Sequence, residues 1–139
     1  GRHADRTLVS DASGAYTGRE LFLTAAALAR DLGPVTDRPE RIAVLASPGL
    51  AYVASMLAVW MRGAMFVPLC PEHPPAEMAY VLDDADVDVV VVDERLASLL
   101  PATSRRTVTA MCTLPCATPA RASHAGLSPP RLRWLLSNR

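Results

Sequence analysis

The sequence contains no lysine, and all fourteen of its basic side chains are arginines. Lysine is the flexible, titratable ammonium of Schiff-base chemistry, phosphate loops and acidic-pocket receivers, so chemistry that needs one cannot be assembled here. Aromatic residues are also scarce, at 5%. Cysteine appears three times, as Cys70, Cys112 and Cys116. An odd number with no repeated spacing favours reduced thiols in an intracellular chain over a disulfide framework. The formal net charge is zero, which removes any general electrostatic case for nucleic acid or a membrane surface. No apolar run is long enough for a bilayer: the longest, Leu50 to Met61, is interrupted by Ser55 and stops at Arg62. The sequence opens at Gly1 rather than methionine and shows no signal peptide.

Acids are missing from one part of the chain. All fourteen, from Asp5 to Glu94, lie in the first 103 residues alongside eight arginines, whereas residues 104–139 hold six arginines and no acid. The two parts therefore carry −6 and +6. The contrast divides the 139 residues into a patterned segment, 1–103, and a basic tail, 104–139. The tail is rich in Pro, Ser, Thr and Arg and has no sustained period of 2 or 3.6, so disorder is expected over most of it. Six dispersed arginines with one Trp do not make a nucleic-acid site.

Half of the chain is apolar, which suits one soluble globular domain. Arg6 to Thr17 reads as a hairpin around the turn residues Asp11 to Gly14. Thr17 and Glu20 have capping-box spacing, Leu21, Ala25, Leu28, Ala29 and Leu32 form one stripe, and Gly33 suits a left-handed helix end. Arg41 to Ala46 is a short buried strand. Ser47 and Pro48 can open a helix that sends Leu50, Val53, Met56, Leu57, Trp60 and Met61 toward a core and stops at Gly63. Ala64 to Leu69 is a second strand with Pro68 near its end, and Pro71, Pro74 and Pro75 stiffen the turn into a third helix. Met78, Tyr80, Val81, Leu82 and Ala85 are its apolar positions. Val87 to Val92 is a strand buried on both faces, and Asp93 can cap a short helix through Leu100.

The order β-α-β-α-β-α with short links predicts an α/β fold. It is a partial, doubly wound parallel sheet preceded by a hairpin and helix and followed by a mostly disordered tail. Ligands of such sheets gather beyond the carboxyl ends of the strands, here near Ser47, Cys70 and Asp93.

None of the chemical candidates is complete. Cys112, Cys116 and His124, or Cys70 with His73, lack zinc spacing and a fourth ligand, so no metal site is expected. Asp83, Asp84, Asp86 and Asp88 run off a helix end into a strand and face different ways, which suits a solvated helix end better than a divalent ion. Ser47 to Ala51 could offer helix N–H groups to a phosphate, but no glycine-rich phosphate motif is present and a plain helix start is the better reading. No nucleophile set can be assembled.

Taken in order, several motifs resemble the N-terminal region of the AMP-dependent acyl-CoA synthetases, the adenylate-forming enzymes. They are the Thr17-x-x-Glu20-Leu21 helix start, the strand Arg41 to Leu45, the segment Gly63-Ala64-x-x-Val67-Pro68-Leu69, the proline loop, Tyr80-x-Leu82-x-Asp84 and the valine strand. The resemblance covers residues 2–101. Trp60-Met61-x-Gly63, Val67-Pro68-Leu69 and His73-Pro74 look most like the malonyl-CoA synthetase branch. Gly18 departs from the family, which often has an aromatic residue there.

The resemblance implies a parent reaction in which ATP, with Mg, and a carboxylic acid give an acyl-adenylate, from which coenzyme A displaces AMP. The family's phosphate loop and its lysines have no counterpart in this sequence, so no catalytic, cofactor-binding or metal residue is carried over. The expectation is a truncated, catalytically inactive synthetase, intracellular, in mitochondria or cytoplasm. Its alternative is a non-catalytic module that self-associates or binds a full-length enzyme. An altered reading frame, alternative splicing or retained noncoding sequence would account for residues 104–139, with a lineage-specific insertion as the competitor.

Overall fold

The computed structural model describes residues 4–110. A two-stranded antiparallel hairpin, β1 (Thr7–Asp11) and β2 (Gly14–Thr17), leads into helix α1 (Gly18–Asp31). Strand β3 (Arg41–Leu45), helix α2 (Leu50–Met61), strand β4 (Met65–Pro68), helix α3 (Pro75–Asp84) and strand β5 (Val89–Asp93) follow in alternation. A 3-10 turn, Glu94–Leu99, and a last strand, β6 (Arg106–Ala110), complete the described chain.

The four later strands form one parallel sheet in the order β4-β3-β5-β6. The chain moves from β3 outward to β4, returns across β3 to β5, and continues to β6. Winding therefore reverses between β3 and β5, and in open α/β sheets that crevice is where ligands bind. Two apolar layers cover the sheet. Ile42, Val44, Val89 and Val91 meet α1 and α2 on one face, while Ala43, Leu45, Val90 and Val92 meet Met78 and Leu82 of α3 on the other. Each of these large aliphatic side chains contributes on the order of 1.5–3 kcal/mol by leaving water.

Helix α1 starts where its cap chemistry dictates: the Glu20 N–H donates to Thr17 Oγ1, and the Thr17 N–H donates to the Glu20 carboxylate. The helix ends as expected, with Gly33 at φ 79° just past Leu32.

Helix α2 differs from expectation in two ways. Its first residue is Leu50 and its cap is Gly49, so Ser47 and Pro48 lie outside the helix. Its buried stripe is Leu50, Ala51, Ala54, Ser55, Ala58 and Val59, whereas Trp60 and Met61 are 56% and 46% exposed. The alanines face inward because α2 must lie close to both the sheet and α1, and small side chains permit that approach. Tyr80 of α3 is likewise exposed rather than core-facing.

The tail boundary also needs correction. Residues Arg106 to Ala110 were expected in a patternless segment starting at residue 104, yet they pair in parallel with Val89 to Asp93. Their side chains explain why. Successive residues of a strand point to opposite faces, and Arg105 and Arg106 use both. Arg105 donates to Asp83 at the end of α3 and to the Val87 carbonyl, while Arg106 donates to the Leu32 carbonyl at the end of α1. Both cations thus sit at helix C-termini, where the backbone dipole favours them. The segment after Asp93 is a 3-10 turn rather than an α-helix, capped as expected by the Asp93 carboxylate on the Arg95 N–H. The expectation of disorder beyond Ala110 falls outside the described residues.

Candidate functional site

The carboxyl ends of β3 and β5 converge on a small group of charged and backbone atoms. Asp93 ends the fully buried strand β5 and is itself only 3% exposed. Its carboxylate accepts from Arg95 Nε at 3.2 Å, Arg95 Nη2 at 3.0 Å and the Arg95 N–H at 3.1 Å. Burial by itself would raise its pKa, but the Arg95 guanidinium and N–H, with the Ser47 N–H, outweigh burial and leave Asp93 below its ordinary value. A carboxylate and a guanidinium locked together in this way form a structural pair with no free acid or base.

Asp11 supplies the second carboxylate. It reaches from the end of β1 to the start of α2, where its Oδ2 accepts from the Leu50 N–H at 3.0 Å, and its Oδ1 accepts from the Ser13 N–H at 2.8 Å. Those two N–H groups hold its pKa below the usual carboxylate value, and the charge of Arg95 adds to the effect. Gly49 permits the approach: its φ is 128°, and a Cβ there would overlap the Asp11 carboxylate. The helix N-terminus that could otherwise cradle a phosphate thus already holds an anion from the chain itself.

The other sequence candidates do not converge. Cys70 lies just past β4, and the nearby His73 has its Nδ1 3.7 Å from Glu77. Cys112, Cys116 and His124 lie outside the described residues. The four aspartates at the end of α3 serve different partners: Asp83 meets Arg105, Asp84 accepts from Tyr80, Asp86 meets Arg41, and Asp88 meets Arg38 and the Arg41 N–H. Asp88 lies below its ordinary pKa, chiefly through the Arg41 N–H and then Arg38, against burial. Among the described residues, no three His, Cys, Asp or Glu side chains gather as metal ligands, and no helix is long and apolar enough to cross a membrane.

A cavity of about 200 Å³ opens at the opposite, amino end of the sheet, between the segment Val35 to Glu40 and Arg62. It is smaller than the ~300–1,000 Å³ of ordinary ligand pockets. Beside it lies a buried ion pair that the sequence reading missed. Arg62 Nη2 is 2.5 Å from Glu40, and its guanidinium also donates to the carbonyls of Gly33 at 2.5 Å and Pro34 at 3.1 Å. Two lone charges flanking apolar segments were the only signal for it.

The backbone cradle at α2 is filled by Asp11, and the nearby Arg95 is spent on Asp93. The geometry shows a scaffold whose switch-point groups satisfy one another.

Comparison with known proteins identifies the scaffold. The family model described as "AMP-binding enzyme" matches residues 1–131. The mitochondrial malonate–CoA ligase ACSF3 of Xenopus laevis is 35% identical over 103 residues, covering 70% of this chain and 18% of the ligase. The human ligase of the same name is 31% identical over 108 residues, covering 73% of this chain and 19% of itself. Among solved structures, the AMPPNP-bound nonribosomal peptide synthetase FmoA3 shares the fold at a TM-score of 0.73 and 21% identity, with 86% of this chain and 13% of that one aligned. The chain spans about a fifth of the length of these ligases. On the family match and on the parallel sheet with its hairpin, the chain belongs to the AMP-binding, adenylate-forming enzyme family.

Proposed function

We propose that this chain is the opening portion of an acyl-CoA synthetase and is catalytically inactive by itself. The parent reaction is the ATP-dependent joining of a carboxylic acid, malonate being the first candidate, to coenzyme A through an acyl-adenylate. The observation that carries this reading is the match to malonate–CoA ligases over about 70% of this chain but only 18% of theirs. The absence of lysine supports it, because nothing here could meet developing charge on phosphorus with a mobile ammonium. The mitochondrial label of those relatives supports the same compartment for this chain.

The test is ATP–pyrophosphate exchange with malonate and Mg. The purified chain is expected to show none and to give no thermal shift with Mg-ATP. A full-length protein carrying this segment is expected to exchange. Exchange by the chain alone would overturn the reading.

A second reading is a non-catalytic module that associates with a full-length synthetase or with itself. It is favoured by exposed Phe22, Leu23, Trp60, Met65 and Tyr80, large apolar side chains that a partner surface would cover.

A further inference from the structure

We draw no further inference here: the strongest candidate, the cavity between Val35 to Glu40 and Arg62 at the amino end of the sheet, carries nothing, because Asp37 and Glu40 offset Arg38 and Arg62 around it, the Arg62 Nε that lacks a partner among the described residues is sealed from the surface, and nothing in the structure shows what covers the opening.

Discussion

Replacing Arg62 with methionine tests the energetics of the buried pair at the amino end of the sheet. The Arg62 side chain is 4% exposed and Glu40 10%, and they lie 2.5 Å apart. The guanidinium also donates to the carbonyls of Ala29, Gly33 and Pro34, so it ties the end of α1 and the following turn to the residue before β3. Methionine fills similar volume but leaves the Glu40 carboxylate buried without a cation. Breaking one side of a buried pair costs about 3–5 kcal/mol. Whole domains are stable by only about 5–15 kcal/mol. For a chain of this size each kcal/mol moves Tm by roughly 3–4 °C, so a fall of at least about 9 °C is expected. Urea and thermal unfolding followed by circular dichroism on the full chain would measure it. Adding Glu40→Leu to Arg62→Met should recover more than half of the loss, because the stranded charge is gone. Recovery stays incomplete, since the three carbonyls still lack their donor. A single variant within about 1 kcal/mol of wild type would refute the reasoning.

Other substitutions follow from specific atoms. Ser55 is fully buried and its Oγ has no partner among the described residues, so Ser55→Ala should raise stability by about 1 kcal/mol, read as a higher urea midpoint. Gly49→Ala should destabilise by about 1–3 kcal/mol, since its φ of 128° suits glycine and the new methyl would collide with Asp11. Asp11, Asp88 and Asp93 all have lowered pKa values in the folded chain. Their stabilisation is complete above the unfolded carboxylate pKa and disappears as pH falls through the lower folded values, so urea midpoints should drop below about pH 5. Asp88→Asn should start lower at neutral pH and show a shallower acid decline.

Much of this fold was legible because its elements are announced by strong local chemistry. The run Val89 to Val92 has no polar residue to compromise a buried strand, and Thr17 with Glu20 fixes the start of α1 by reciprocal hydrogen bonds. Strand β6 was not legible, because Arg105, Arg106, Thr107 and Thr109 look like tail composition until the helix ends they reach are known. The inward face of α2 was misjudged for a related reason. Size suggested that Trp60 and Met61 go inside, but close approach of helix to sheet selected alanine. The pairing of Asp11 with Leu50 is a contact across the fold that spacing cannot reveal, whereas Asp93 and Arg95 stand only two residues apart. Asp93 itself was marked as a cap, and its carboxylate does cap the 3-10 turn.

The Asp11 bond to Leu50 joins residues 39 positions apart, which gives the first turn of α2 an unusual dependence. An N-cap ordinarily comes from the residue next to the helix, so the turn can close as soon as its own segment folds. Here the Leu50 N–H has its acceptor only after the hairpin has docked. Hydrogen exchange at that amide should therefore track detachment of residues 4–17 rather than fraying of α2, and Asp11→Ala should speed it while sparing the amides of Ala54 and Ala58. One backbone proton thus serves as a clock for how often the start of the chain lets go of the sheet.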